Sequence, residues 1–409
     1  MAKQITQEQI DLLVERLINR VEKANEVFLK YIGSKINEIG KLTPSDAHKL
    51  VQILKYGDNY DNIVKQINKY TNLNIQDIDK IFNEYAKKDK SFYKEFYKYR
   101  NIPFDNNKII DNQINALSNL AKSDMVLFTR PNILGYSFTD PITKFVSFHN
   151  LKETYNTLLD TALMNVGQGK ETFDSAMSNI LKEIGGSGIK TIQYESGRSV
   201  RLDSAIRMHL KDSLLQLHNE NQKIYGEKFN ADGVEISVHE YPAIDHEKVQ
   251  GRQFSNEEYD KLDAGQIAKD YKGNTYTLDH DAKNGYRPIS TMNCYHYIFP
   301  IILGVSEPEY TDIALKHIQD RNKKGFEYDG KHYTLYEGTQ MQRALERKIR
   351  EQKDIQIIGK SSNNLEVIAD SQTKITQLTN KYKELSKISG LPTKMKRMQV
   401  SEYKRVKTK

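Results

Sequence analysis

The sequence predicts a mostly α chain with a small α+β core at about 189–305, flanked by a helical N-terminal part and a helical C-terminal part. Three observations carry this. Apolar residues recur at helical spacing through the first 125 residues and again beyond residue 338. The block 234–305 breaks that rhythm, is rich in Asp, Gly, Asn and Pro, and begins with a short extended run. At 409 residues and 38% hydrophobic content, the chain is expected to form several modest cores, not one large one.

Taken in order, Ile10, Leu13, Leu17, Val21, Ala24 and Phe28 form one apolar stripe, and Thr6 with Gln9 reads as a capping box ahead of it. Thr43-Pro44-Ser45-Asp46 marks a second start: a capping threonine, proline at the first helical position, and an acid in the first turn. Asn74 is expected to cap a third helix through Ile78, Ile81, Phe82 and Tyr85. Residues 88–106 crowd Lys and Tyr, break at Pro103, and lead into a helix at about 106–124. From 126 to 149 the chain reads as extended or irregular, with Arg130-Pro131 and Asp140-Pro141 as breakers. Helices are expected at 150–166 and 170–184, the second ended by Gly185-Gly186-Ser187-Gly188. A hairpin over 189–194 and 199–202 turns on Glu195-Ser196-Gly197-Arg198, and a helix follows at 203–225. A short strand is expected at 234–238 and a hairpin at 326–334, turning on Asp329-Gly330. Helices at 338–355 and 364–387 complete the chain, the last ended by Gly390 and Pro392. No repeat of 20–50 residues is visible.

Lys and Arg outnumber Asp and Glu by 61 to 54, and a formal charge of +7 does not by itself imply nucleic acid. The excess gathers at the end, where Lys394, Lys396, Arg397, Lys404, Arg405, Lys407 and Lys409 face only Glu402. Such a tail contacts a polyanion or is simply solvated. A single cysteine excludes an internal disulfide. Met1-Ala2-Lys3-Gln4 opens no apolar signal core, and no apolar run approaches a membrane span. A reducing cytoplasm, or a particle assembled there, is the expected setting, with no membrane. Five segments follow: helical 1–125, a helical connector at 126–188, the α+β core at 189–305, a hairpin with helices at 306–389, and the basic tail at 390–409.

The residues best suited to chemistry are His239, His246, Cys294 and His296, in two short clusters. Thiolate and imidazole ligands suit zinc in a closed tetrahedral site, and a loop-rich block buries too little apolar surface to hold itself. The other reading is a hydrogen-bonded polar core with Cys294 as a small buried residue. Asp279-His280-Asp281 reads as a solvated loop. Gly167-Gln168-Gly169-Lys170-Glu171 lacks the spacing and the hydroxyl of a phosphate loop. Arg343, Arg347, Lys348, Arg350 and Lys353, interleaved with Glu346 and Glu351, read as a solvated, ion-paired helix face. The Lys- and Tyr-rich stretch 93–100 suits either a nucleic-acid backbone or a protein interface.

Several runs carry a family resemblance. They are Gly233-Val234-Glu235-Ile236-Ser237-Val238-His239, Pro242-Ala243 with Asp245-His246, and Gln250-Gly251 with Phe254-Ser255. Ser196-Gly197-Arg198 precedes a helix containing Arg207; Asn293-Cys294-Tyr295-His296, Pro300 and Gly304-Val305-Ser306 follow downstream, then Gly325-Phe326-Glu327-Tyr328 and Tyr336-Glu337-Gly338-Thr339-Gln340. Over about 190–400 these resemble tailed-phage minor capsid proteins of the second type, relatives of the Mu-F-like head-morphogenesis proteins. The N-terminal part agrees in helical character only.

The resemblance marks 189–305 as a Mu-F-like core with Gly197, Arg198, Arg207, Asp245, Gln250, Gly251 and Asn293 as its motif. In the broader group the first motif carries Cys-x-x-Cys and the last His-x-x-Cys-x-Cys. Here His246 and His296 stand at two of those cysteines, Ala243 and Thr291 replace two further ligands, and His239 is additional.

What the resemblance implies is a structural, non-enzymatic virion protein at the portal or inner head, assisting head assembly and genome packaging or delivery. Residues 1–125 would dock on the portal or major capsid protein. Lys394, Lys396, Arg397, Lys404, Arg405 and Lys407 would contact packaged double-stranded DNA, and zinc is the one cofactor implied. The rivals are an enzyme acting on DNA or nucleotides, since members of the wider group are fused to toxin domains, and a DNA-binding accessory factor that never enters the particle. About 100 residues follow Val305, in helices without a catalytic constellation, which argues against the enzyme.

Overall fold

The computed structural model describes residues 7–104, 108–130, 132–139, 142–192, 199–278, 287–291 and 294–406. Thr6, Pro131, Asp140-Pro141, the turn at 195–198, Asp279-His280-Asp281, Asn293 and Lys407 lie outside them.

Helices dominate, as the periodicity predicts. The chain opens with α1 (Gln7–Ile39), α2 (Pro44–Tyr56), α3 (Asn59–Tyr99) and α4 (Lys108–Phe128). Strands β1 (Leu134–Thr139) and β2 (Val146–Asn150) precede α5 (Leu151–Asn165) and α6 (Lys170–Ser187). Short β3 (Lys190–Ile192) and β4 (Ser199–Arg201) lead into α7 (Leu202–Glu227). The loop-rich block carries β5 (Gly233–Ile236), α8 (Ile244–Glu247), β6 (Gln253–Ser255), α9 (Asn256–Asp263), β7 (Ala268–Lys269), β8 (Thr275–Tyr276) and β9 (Ile298–Ile301). Then come α10 (Asp312–Lys324), β10 (Phe326–Tyr328), β11 (Lys331–Tyr333), α11 (Leu335–Ser361) and α12 (Leu365–Ser389).

The chain folds into two compact units, each assembled from three separate stretches of sequence. The first takes Met1–Val14, Asp77–Lys122 and Met208–Gln340; the second takes Glu15–Gln76, Ser123–Arg207 and Met341–Lys409. The dividing points fall inside helices α1, α3, α4, α7 and α11.

In the second unit, β1–β4 form an antiparallel sheet in the order β2-β1-β3-β4, so the stretch 126–149, which reads as extended or irregular in the sequence, supplies two paired strands. Tyr136 of β1 stacks on Phe28 at 5.0 Å and donates its hydroxyl to Asn25 Oδ1. Thr43 caps α2 by accepting from the Asp46 N–H, with Pro44 in the first turn.

One expectation fails there because of a distant partner. Asn74 does not cap a helix: α3 runs through it for 41 residues, and its buried side chain donates to the Leu17 carbonyl at 3.2 Å. The run Gly185-Gly186-Ser187-Gly188 does end α6, which continues to Ser187 and stops at Gly188, φ +59. A Cβ on Gly185 would lie 2.5 Å from Ile355 Cα, so the glycine lets α6 approach α11.

The α11 face read as solvated and ion-paired is solvated only in part: Arg347 and Lys348 are exposed, but the rest of the face is not. Arg350 and Glu346 are each only 4% exposed. Arg350 pairs with Asp203 at 2.9 Å, and Arg201 pairs with Asp203 and Asp354, each at 3.2 Å. Burial and the Asp203 charge push the Glu22 carboxyl up to about 8, and burial pushes Asp354 up to about 6. Burial alone would raise Asp203 as well, but the guanidinium groups of Arg350, Arg201 and Arg207 outweigh it and hold that carboxyl well below the usual range.

The basic tail is strapped onto this unit. Leu391, Met398 and Val400 are buried, and Arg350, Lys353 and Lys360 donate to the carbonyls of Arg397, Met398 and Lys404.

In the first unit, β5 is the centre of a three-stranded antiparallel sheet in the order β6-β5-β9. Val234, Ile236, Val249, Phe254, Tyr259 and Leu262 pack into its core. The hairpin β10–β11 turns where expected, with Asp329 and Gly330 both at positive φ, +49 and +72, as a two-residue hairpin loop requires.

Candidate metal centre

The sheet of the first unit brings two distant stretches together. Beyond the last paired residues of β5 and β9, the Ser237 N–H donates to the Tyr297 carbonyl and the Tyr297 N–H returns to Ser237 Oγ. This sets His239 on one strand extension beside Cys294 and His296 on the other. His246 arrives on α8, a single turn that opens after Pro242-Ala243. Gly251 reverses the chain at φ +68, its N–H on the Ile236 carbonyl at 2.7 Å; a Cβ there would meet Leu315 Cδ2 at 2.6 Å.

Three of the four sequence-assigned ligands converge. Ligand atoms of His246, Cys294 and His296 all lie within 4.8 Å of one another, in side chains 0%, 4% and 1% exposed. His246 Nδ1 is 3.0 Å from Cys294 Sγ, and His296 Nδ1 is 3.4 Å from the same sulfur. His239 does not join that set. Its ring lies tilted against His296, centroids 4.4 Å apart, and its backbone N–H donates to Gln250 Oε1.

The partners on the far side of each ring fix where the protons are. The Arg287 carbonyl is only an acceptor, so His246 Nε2, 2.9 Å away, carries the hydrogen. Gln250 Oε1 faces the His239 backbone N–H, which is only a donor; His296 Nε2, 3.2 Å from that oxygen, therefore also carries its hydrogen. Burial lowers the pKa of His246 and holds His296 well below the ordinary imidazole value, so both rings are neutral. Both Nδ1 atoms then present lone pairs to one sulfur. A thiol has one hydrogen and satisfies one of them.

Burial pushes the Cys294 thiol up to about 11, so in the protein alone it keeps that proton. A divalent cation among the three atoms would displace it and satisfy all three lone pairs, and both imidazoles already have the carbonyl partners that metal-bound histidines use. The donor set therefore fits a borderline-soft ion such as zinc, with three protein ligands and a fourth position left over.

Around this centre, Asp245 accepts two hydrogen bonds from Arg287, at 2.6 and 2.8 Å, and one from the His246 N–H. The pair anchors the segment whose carbonyl orients His246. Sequence reasoning missed Arg287; a lone arginine beside Pro288 in a loop carries no spacing signal. Of the motif residues, Asp245, Gln250 and Gly251 belong to this centre. Arg207 lies in the second unit, paired with Glu15 and Asp203. Gly197, Arg198 and Asn293 are outside the described residues. In the tail, Lys394, Lys396, Lys404 and Arg405 are exposed and Arg397 is half-buried.

The chain belongs to the phage minor capsid protein 2 family, whose sequence profile matches residues 5–386. No curated protein and no solved structure matches it. Among the described residues no helix is long and apolar enough to cross a membrane.

Proposed function

We propose that the protein is a structural component of a tailed-phage particle, held at the portal or inner face of the head, where it assists head assembly and genome packaging or delivery. One observation carries the step from family to role. The His246–Cys294–His296 cluster is sealed from solvent, so it serves to hold a fold and does not offer a nucleophile to a substrate. The helical N-terminal part docks on the portal or major capsid protein; Ile53 and Tyr56, 63% and 83% exposed on α2, are available for such a contact. Exposed Lys394, Lys396, Lys404 and Arg405 contact packaged DNA. Assembly takes place in the host cytoplasm.

Zinc is the implied cofactor, held by His246 Nδ1, Cys294 Sγ and His296 Nδ1, with His239 the nearest further imidazole for the fourth position. When bound it supplies a structural cross-link between α8 and the segment ahead of β9.

Proteomics with copy counting on purified, DNA-filled particles tests the role. A small, fixed number of copies per particle is expected. Absence from particles, with the protein free in the lysate, would favour a non-virion accessory factor or an enzyme.

A further inference from the structure

The C-terminal half of α3 carries a row of lysines outside the centre described above. Lys87, Lys90, Lys94 and Lys98 are spaced by three, four and four residues. At 100° per residue they fall within about 80° of the helix circumference and span roughly 16 Å. Asp89 is buried on the opposite side. Glu84 and Glu95 lie one i,i+3 step from Lys87 and Lys98 at the edge of the row, and Asp111 of α4 lines the same pocket as Lys87 and Lys90, so cations outnumber acids there without excluding them. Three of the four lysines are exposed and Lys90 is half-exposed, and none has an ion-pair or hydrogen-bond partner among the described residues. Like charges one turn apart repel, so the row is unfavourable to the isolated helix.

The support beneath the row is rigid. Tyr85, Asp89, Tyr93 and Tyr97, each four residues apart, are buried on another face of α3. Within the first unit, Tyr93 stacks on Tyr225 of α7 at 4.0 Å and donates to Gln222, and Tyr97 donates to the Tyr225 carbonyl.

We infer that this lysine row is a sequence-blind binding site for the phosphate backbone of double-stranded DNA, separate from the C-terminal tail. The chemistry selects DNA over a protein partner. The buried centres of protein interfaces are depleted in lysine, whereas a row of cations with no ion-pair partner among the described residues gains from a polyanion by releasing its condensed counterions. In the tail, by contrast, the backbone around Arg397 and Lys404 is tied down by side chains of α11. The inference rests on the virion reading only for naming the packaged genome as the DNA.

The test is binding of the full chain to a random-sequence duplex, followed by fluorescence anisotropy from about 50 to 200 mM salt. Three variants are compared with the parent: one with Lys87, Lys90, Lys94 and Lys98 all changed to Gln, one with the same four changed to Arg, and one with Lys394, Lys396, Lys404 and Arg405 changed to Gln. With unchanged thermal melting, the first is expected to lower the slope of log affinity against log salt by about 3 to 4 and to weaken binding about 100-fold at the low-salt end. The Arg variant should keep the parent slope. An unchanged slope in the Gln variant would overturn the site, as would a Gln variant that keeps DNA binding but drops out of particles, which would make the row a protein contact. A lost slope in a chain that never enters particles would leave the DNA site standing and remove the virion reading.

Discussion

Each unit buries a cluster of polar side chains, and the two balance charge in opposite ways. In the second unit, Arg201, Arg207 and Arg350 face Glu15, Asp203 and Asp354, while Glu22 stays protonated at neutral pH because its carboxyl is pushed up to about 8. Three cations meet three anions, while Arg201 Nη1 and Arg350 Nε are buried without a hydrogen-bond partner among the described residues. In the first unit, His246, Cys294 and His296 turn three lone-pair donors inward with one proton among them. That cluster is neutral but one hydrogen short of satisfying its lone pairs. The same tool, burial, yields an ion-paired strut in one place and, in the other, a neutral cluster whose donor set fits a cation.

The sharpest way to break the strut is Arg350→Met, which leaves Asp203 short of a buried partner. A loss of about 3–5 kcal/mol is expected from denaturant unfolding; a loss within that of a surface substitution would mean that the cluster is hydrated.

A smaller effect tests the protonated carboxyl. The folded pKa of Glu22 lies above the ordinary carboxyl value of 4.5, so the folded state holds a proton that the unfolded chain releases first. Its stabilisation is therefore fully present below about pH 4.5 and is lost as pH rises towards 8. Glu22→Gln should flatten that decline and raise stability at pH 8 by on the order of 1–3 kcal/mol, read as melting temperature against pH. The depressed carboxyl of Asp203 acts in the opposite sense and only in stronger acid.

Gly185→Ala probes the close helix contact beside the strut. Helix propensity alone would favour alanine by about 1 kcal/mol, but the clash with Ile355 should cost about 1–3 kcal/mol in thermal melting. At the bottom of the scale, Lys182→Ala removes an ion pair with Glu366 and Asp370 in which both acids are about half exposed. A change of at most about 1 kcal/mol is expected in the same melts; a larger loss would erase the contrast between buried and exposed charge.

Features with local causes could be read from sequence. The Thr43-Pro44 cap, the Asp329-Gly330 turn and the glycine stop at Gly390 each depend on neighbours a few residues away, and each is found. Features with distant causes could not. Asn74 looks like a cap until Leu17 offers a carbonyl, Gly185 gives no sign of the close approach of Ile355, and Arg350 looks solvated until Asp203 meets it.

The centre divides in the same way. The short spacing of Cys294 and His296 brings them together at once, whereas the anchoring of the His239 backbone N–H and the proton on each imidazole of His246 and His296 depend on Gln250 and Arg287. Neither was visible as a ligand partner in the sequence.

The most direct test of the contrast is the metal content of the purified full-length chain, measured by elemental mass spectrometry beside a Cys294→Ser variant. One zinc per chain in the parent, none in the variant, and a melting temperature lowered by chelation are expected. A metal-free parent whose melting is indifferent to zinc and to chelator would contradict it, and would mean that the two imidazoles share a single thiol proton within a hydrogen-bonded core.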